Sequence, residues 1–190
     1  MIWLRRVINL YNLVRTGWLL RGIPPSQAET VAQHTFLVAF TSLMISRDVI
    51  SKGLSVDLGK VLSMALVHDI PEAVEGDIVK WVKDRVRGDV NKLDLEALSE
   101  LGLNDLKDLM LELNSEGSVE ALIVKICDNL ATYIQGRVYY ELGFKEVNDI
   151  LEGSLSSINE YVRKLPKGYN EIVKNIVNKV IRSLSDGSKE

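Results

Sequence analysis

Residues 61–78, which read VLSMALVHDIPEAVEGDI, constrain this chain more than any other stretch. An apolar segment with helical spacing leads directly to His68 and Asp69. Three further carboxylates follow: Glu72, Glu75 and Asp77. Burying isolated carboxylates costs free energy unless they are paired or bind a metal ion. An apolar helix that ends in a histidine–aspartate pair and a group of acids therefore predicts a cation site.

The length and composition indicate one compact domain. The chain has 190 residues, and its 46% apolar content is enough for a sizeable core. We expect a single domain over residues 1–184 and a frayed tail over residues 185–190. The net charge of −3 gives no sign of a nucleic-acid polymer as partner, because such binding usually shows as a basic face.

The sequence favours a cytoplasmic protein. Cys127 is the only cysteine, so no intrachain disulfide can form, which fits a reducing compartment. The first residues have neither the apolar core nor the cleavage site of a secretory signal. No uncharged apolar run approaches the ~18 residues that a membrane span needs, so we expect no membrane partner.

Hydrophobic periodicity predicts an all-α fold with about seven or more helices and no sheet. A first helix over residues 2–14 should end at Thr16-Gly17, and residues 18–27 should form a loop, because Gly22, Pro24 and Pro25 disfavour a helix. A break is expected at residues 69–71, followed by a short helix that stops at Gly76. The other predicted helices cover residues 29–50 (a start at Ser26 is the alternative), 58–69, one or two segments within 88–115, 118–142, 145–164 and 170–184.

The two histidines of the chain, His34 and His68, both lie on strongly apolar predicted helices. A lone histidine on such a face is more often a hydrogen-bonded core residue than a ligand. An aspartate inside a helix, such as Asp128, could likewise pair with a neighbour, either Lys125 or Thr132. Two such histidines together with Asp69 and Asp128 favour a shared cation over these separate explanations.

Two imidazoles and two carboxylates form a mixed nitrogen and oxygen ligand set. Such a set suits a borderline divalent ion (Mn, Fe, Co, Ni or Zn) better than calcium. Four protein ligands on a six-coordinate ion would leave room for water and a substrate oxygen. Metal-assisted hydrolysis requires such an open site.

The order His34, then His68-Asp69, then Asp128 resembles the H…HD…D signature of the HD-domain metal-dependent phosphohydrolases. The blocks GWLLRG, ETVAQH, ALVHDIPEAVEGDI and KICDNLATYI are similar in order and spacing to the 5′-deoxynucleotidase branch. The resemblance covers roughly residues 10–165. It implies an HD-domain fold and removal of phosphate from (deoxy)nucleoside 5′-monophosphates by metal-activated water. It implies one divalent ion (Co, Mn, Fe, Ni, Zn or Mg) bound by His34, His68, Asp69 and Asp128.

The resemblance also implies roles for residues around the ion. Glu72 and Asp77 are the candidate catalytic residues. Glu72 would activate the attacking water or protonate the leaving group, and Asp77 would hydrogen-bond the sugar hydroxyl. Trp18 would line the sugar pocket and disfavour a ribose 2′-hydroxyl. The alternatives are a helix N-cap for Asp77, a core anchor for Trp18 and a helix-dipole acid for Glu75.

The resemblance further implies a phosphate-binding arginine. Part of the family has this arginine just before the tryptophan, where this chain has Gly17, so the role falls to Arg15 or Arg21. A basic run near the site could also supply a phosphate contact: Lys80, Lys83, Arg85 and Arg87. Residues 79–81 replace a proline-containing segment of many relatives, which predicts a different pocket rim.

Other functions stay open at this point. Another HD phosphohydrolase would act on a nucleoside triphosphate, a cyclic nucleotide or a hyperphosphorylated nucleotide. A protein that binds metal and nucleotide without turnover belongs to a different class, and an iron-dependent oxygenase is a more distant alternative. The leucine-rich segments 93–113 and 145–184 predict a homodimer, although they could equally fill the intramolecular core.

Overall fold

Helices make up most of the described part of the protein. The structure, a computed structural model, describes residues 2–83 and 85–186. The helices are α1 (Ile2–Val7), α2 (Thr16–Leu19), α3 (Val31–Ser51), α4 (Leu58–Val67), α5 (Glu72–Glu75), α6 (Lys80–Lys83), α7 (Arg87–Glu100), α8 (Lys107–Asn114), α9 (Val119–Glu141), α10 (Asn148–Lys164) and α11 (Tyr169–Asp186). Short 3-10 turns lie at Ile8–Tyr11, Asn104–Leu106 and Lys145–Val147. These residues hold no sheet, which confirms the predicted all-α fold.

Side-chain caps fix the starts of the three helices that form the centre of the molecule. Thr30 caps α3, where its hydroxyl accepts from the Gln33 backbone N–H and the Gln33 side chain accepts from the Thr30 backbone N–H. Asp57 caps α4, and Ser118 caps α9. Such caps satisfy backbone donors that a helix leaves unpaired at its first turn. Helix α3 therefore starts close to the predicted residue 29 rather than at Ser26, and α4 starts at the predicted residue 58.

Helix α9 is the central element of the core. It packs against α3, α4 and α10. Ile123, Ile126 and Leu130 are buried on it, and Cys127 beside them is a buried free cysteine. Because Asp128 follows directly on this buried stretch, the packing of α9 brings its partly exposed carboxylate to the edge of the core.

The N-terminal segment departs from its prediction. The helix expected over residues 2–14 gives way to the 3-10 turn, and Val14 then forms an isolated antiparallel bridge with Thr30. The start of α2 at Thr16–Leu19 also contradicts both the predicted helix end at Thr16-Gly17 and the predicted loop position of Trp18. The Val31 N–H donates to the Leu13 carbonyl, so backbone pairing with a distant segment overrides the local periodicity.

The chain breaks after α4 as predicted. His68 is the C-cap of α4, Pro71 precedes α5, and Gly76 ends α5 with a φ of 78° that favours glycine. At the other end of the chain, α11 continues through Asp186, two residues into the predicted tail, and residues 187–190 lie outside the described residues. None of the described helices is both long and apolar enough to span a bilayer.

Candidate metal centre and substrate cavity

The four predicted metal ligands lie together where α3, the end of α4 and α9 meet. His34 Nε2 is 3.0 Å from Asp128 Oδ1 and 3.9 Å from Asp69 Oδ2, and His68 Nε2 is 3.1 Å from Asp69 Oδ2. One donor atom each from His34, His68 and Asp128 lies within 4.8 Å of the other two. The sequence separates these residues widely, so the helix packing assembles the group.

His68 has the tautomer that a metal ligand would need. Its Nδ1 is 2.8 Å from the Ala65 carbonyl oxygen, which can only accept, so the ring proton lies on Nδ1. The buried Nε2 can then only accept, and Asp69 Oδ2 at 3.1 Å can also only accept, so the Nε2 lone pair has no donor among the described residues. An orphaned imidazole nitrogen beside two carboxylates fits a borderline divalent ion.

The two carboxylates of the group keep their charge despite burial. Burial alone would raise the pKa of Asp128, but the hydrogen bond with His34 and the nearby imidazoles hold that pKa well below its ordinary value. Burial likewise opposes ionisation of Asp69, and the neighbouring His68 and Lys83 lower its pKa. Both side chains are therefore anionic near neutral pH, which suits them to bind a cation.

Arg15, rather than Arg21, adjoins the ligand group. Its Nη1 lies 3.0 Å from His34 Nδ1, 3.1 Å from Thr132 Oγ1 and 3.5 Å from Glu29 Oε2. Burial would lower the pKa of Arg15, but Glu29 and the site aspartates raise it above its ordinary value. Arg21 instead forms an exposed ion pair with Asp149 at the cavity edge. A permanently charged guanidinium thus lies next to the candidate metal centre.

Glu72 is a buried carboxyl beside this group. Lys83 Nζ donates to Glu72 Oε1 over 3.0 Å, while Glu72 Oε2 has no hydrogen-bond partner among the described residues. Burial and the charge of Asp69 raise the pKa of Glu72 to about 9, against the opposing effect of Lys83. Glu72 can therefore hold a proton at neutral pH while the site is free of metal.

The described side chains of the basic run at residues 80–87 have separate partners. Lys83 bonds Glu72, and the Arg85 guanidinium lies 3.7 Å from the ring centroid of Trp81. Lys80 lines the cavity, and the Arg87 side chain lies outside the described residues. The run therefore provides one partner for a buried acid and a basic rim rather than a continuous phosphate-binding surface.

Asp77 and Trp18 connect the cavity to the N-terminal segment. Asp77 Oδ2 accepts from the Thr16 backbone N–H, and the Thr16 hydroxyl donates to the Asp77 carbonyl over 3.1 Å. Asp77 thus caps the start of α2 rather than its own helix. Trp18 is 2% exposed and lies edge-on to Tyr139, yet part of its ring borders the cavity. It is a core anchor and a cavity wall at once.

Glu75 makes a contact that the helix-dipole alternative does not predict. It lies in the first turn of α5, but it also meets the carboxyl of Asp94 from α7. Burial, and then the charge of Asp94 and a hydrogen bond with it, raise the pKa of Glu75 to about 7. Burial is the largest cause of this shift, and the neighbouring carboxyl group adds to it, because two close carboxyl groups resist ionising together.

A single cavity of about 780 Å³ joins these residues. Three of the candidate metal ligands line it, together with the nearby acids, and α10 contributes Ser154, Ser157 and Tyr161: the ligands are His68, Asp69 and Asp128, and the acids are Glu72, Glu75 and Asp77. Residues 79–81 form part of the rim. A volume of this size is typical of small-molecule sites and accommodates a nucleoside monophosphate.

Sequence reasoning missed two polar contributors, Glu29 and Thr132. The sequence places Glu29 only at a helix start and Thr132 only as an alternative partner of Asp128. Both bond Arg15 in the fold. The available signal was an acid that precedes a strongly apolar helix, and this pattern is too common to mark a site.

An all-α fold that gathers an H…HD…D set into one buried group defines the HD-domain class of metal-binding proteins. The chain belongs to this family: residues 7–167 match the family model described as HD domain. The family resemblance predicted from the sequence is thereby confirmed.

Curated relatives and a solved structure extend this match. The chain is 32% identical over 147 residues to 5′-deoxynucleotidase HDDC2 of Danio rerio, covering 74% of this chain and 69% of the relative. It is 29% identical over 165 residues to the human protein of the same name, covering 83% and 77%. A conserved hypothetical protein from Pyrococcus furiosus superposes with a TM-score of 0.82 at 27% identity, covering 95% of this chain and 98% of that one.

Proposed function

We propose that this chain is a metal-dependent phosphohydrolase that removes phosphate from deoxynucleoside 5′-monophosphates. The observation that carries the proposal is one cavity lined by Asp69 and His68 of the ligand group, by the buried acid Glu72 and by the guanidinium of Arg15. The relatives named 5′-deoxynucleotidase support the substrate class.

The ligand group and Arg15 would provide the positive charge that phosphoryl transfer needs. A divalent ion held by His34, His68, Asp69 and Asp128 would supply Lewis-acid stabilisation of the phosphoryl oxygens and activate water. The side-chain hydrogen bonds of Arg15 within the described residues all use Nη1. Its remaining N–H groups are thus available for the phosphoryl oxygens.

Glu72 would handle the proton. As the bond between phosphorus and O5′ breaks, the proton held at Glu72 Oε2 passes to the departing oxygen. The new phosphorus–oxygen bond comes from water, and Glu72 regains a proton from that water. Lys83, bonded to Oε1, keeps the carboxyl oriented through both transfers.

The sugar would lie between Asp77 and Trp18. Asp77 uses Oδ2 for the Thr16 N–H, so Oδ1 is the oxygen proposed for the sugar hydroxyl. Trp18 is held by Tyr139 and by its hydrogen bond to Glu29, and it is one of the residues that line the cavity. A ring fixed in this way would leave little space for a ribose 2′-hydroxyl.

A substrate panel tests the proposal. Phosphate release is measured with metal-stripped protein and added Co, Mn, Mg, Ni or Zn. The panel contains the deoxynucleoside monophosphates, the matching ribonucleotides, the triphosphates and cyclic nucleotides. Preferential hydrolysis of deoxynucleoside monophosphates supports the proposal. Exclusive turnover of a triphosphate or cyclic nucleotide would assign another HD phosphohydrolase activity, and binding without any turnover would indicate a non-catalytic protein.

A further inference from the structure

Glu29 is a buried carboxylate to which the proposed mechanism gives no part. Its side chain is 4% exposed, and its Oε2 accepts from Trp18 Nε1 over 3.0 Å and from Arg15 Nη1 over 3.5 Å. Its Oε1 is 3.9 Å from His34 Nδ1. One carboxylate therefore adjoins a candidate metal ligand, the candidate phosphate-binding arginine and the wall of the sugar pocket.

The backbone of Glu29 is fixed from two sides. Its N–H donates to the Tyr139 hydroxyl over 2.7 Å, and this hydroxyl donates in turn to the Gln27 carbonyl. Its carbonyl accepts from the Arg15 N–H over 2.9 Å. Because α9 and the N-terminal segment both hold this residue, the position of the carboxylate is fixed by the fold.

The tautomer of His34 shows why a carboxylate is needed here. Arg15 is only a donor, so its contact of 3.0 Å with Nδ1 places the ring proton of a neutral His34 on Nε2, toward Asp128. A histidine that binds a metal through Nε2 must carry its proton on Nδ1 instead. Arg15 cannot accept that proton, whereas Oε1 of Glu29 can.

We infer that Glu29 is the positioning residue that couples the metal centre to the substrate cavity. With a cation on Nε2 of His34, the ring proton would move from Nε2 to Nδ1, the Nδ1–H would donate to Glu29 Oε1, and Arg15 would give up its contact with His34. Arg15 remains tied to Glu29 and Thr132 and turns its other N–H groups to the cavity. The roles of Arg15 and Trp18 in this inference rest on the proposed function, but the role of Glu29 toward the metal does not.

The substitution Glu29→Gln distinguishes the roles of the two carboxylate oxygens. An amide has one accepting oxygen and one donating nitrogen, so it cannot accept from both sides. If the oxygen serves Arg15 and Trp18, the nitrogen faces Nδ1 of His34 and favours the tautomer that cannot bind a metal through Nε2. The substitution therefore changes the favoured tautomer of His34 while the volume of the side chain at position 29 stays almost the same.

The test measures metal affinity of the stripped full-length chain by chelator competition with Co or Mn. Removing such a carboxylate partner typically costs about 10–100-fold in metal affinity, and we expect this loss for Glu29→Gln. Glu29→Asp keeps the charge and should recover part of the affinity. Tyr139→Phe loosens the same backbone but leaves the carboxylate, so it should keep affinity near that of the wild type. Circular dichroism verifies that each variant is folded.

The outcomes separate this inference from the proposed function. Wild-type affinity in Glu29→Gln would overturn the inference, and so would an equal loss in Tyr139→Phe, because the backbone alone would then explain it. Neither result bears on phosphate release by the wild type. Conversely, a wild-type protein that releases no phosphate would refute the proposed function, while a selective affinity loss in Glu29→Gln would still support the role of Glu29.

Discussion

His34 and His68 reach the same site with different partners on Nδ1. The Ala65 carbonyl holds His68 in the tautomer that a metal ligand needs, whereas His34 faces the donor Arg15. At the scale of single residues, therefore, His68 has the tautomer that binding a cation through Nε2 requires, and His34 does not. The sequence could supply the ligand types, but not these partners, because Arg15 and Glu29 reach His34 only through the folded N-terminal segment.

Glu72→Gln should lower kcat and leave metal affinity close to that of the wild type. The amide can still accept from Lys83, but it cannot transfer a proton, and general acid–base groups contribute about 10²–10⁴-fold to rate. Phosphate release at saturating metal measures the effect. A kcat equal to that of the wild type would remove Glu72 from the proton transfer.

Glu75→Gln should change how stability depends on pH in the metal-stripped protein. The pKa of Glu75 rises from 4.5 to about 7 on folding, so between these values the folded state binds more protons than the unfolded state. The free energy of unfolding of the wild type should therefore fall as pH rises from about 4.5 to 7 and then level off.

The glutamine variant cannot ionise, so its melting temperature should fall less over this pH window. Above pH 7 it should be the more stable protein, by roughly 1 kcal/mol after allowance for solvent screening of this half-exposed group. Thermal unfolding followed at several pH values provides the comparison. Parallel curves for the two proteins would show that Glu75 has no raised pKa.

At the scale of elements, the sequence predicted the long helices well because their apolar stripes and caps are local signals. The starts at Thr30 and Asp57 and the break before Pro71 follow from residue types alone. The N-terminal prediction was wrong because the bridge between Val14 and Thr30 is a contact between separate segments. Arg15 owes its place in the site to this same bridge.

The close approach of α9 to α10 depends on Gly136. A Cβ at this position would lie 2.8 Å from Leu151 Cδ2 and 3.3 Å from Trp18 Cη2. Overpacking typically costs about 1–3 kcal/mol, which should exceed the gain in helix propensity of at most ~1 kcal/mol. Gly136→Ala should therefore lower the melting temperature and shift the fluorescence of Trp18.

Gly153 provides the matched control on α10. A Cβ there meets nothing within 4 Å, so Gly153→Ala should gain the helix propensity without a clash and raise the melting temperature. Thermal unfolding of both variants tests the contrast. Stabilisation by both substitutions would show that the contact of α9 with α10 tolerates a methyl group.

At the scale of the whole molecule, the candidate ligands come from α3, from the chain just after α4 and from α9, so a bound cation would tie these elements together. A ligand that binds only the folded state at about 100 times its Kd adds ~2.7 kcal/mol of stability. Adding Co or Mn to the stripped protein should therefore raise its melting temperature by several degrees. His68→Ala should lose most of this increase, and an equal increase in the variant would place the ion elsewhere.

The homodimer and the cytoplasmic location stay predictions. The leucine-rich segments that indicated a dimer are largely used within the chain, since Leu98, Leu113 and Leu151 are buried. The more exposed apolar face lies on α3, where Phe36 and Phe40 stack on each other. Sedimentation velocity gives the oligomeric state directly.

Phosphate release from dAMP, as a function of added Co, tests the central claim most directly. The stripped wild type, Asp69→Asn and His68→Ala are compared at equal protein concentration. We predict activity that saturates with metal in the wild type and falls by orders of magnitude in both variants, with each variant folded by circular dichroism. Activity that is independent of metal, or undiminished in the variants, would contradict the assignment of this group as the catalytic centre.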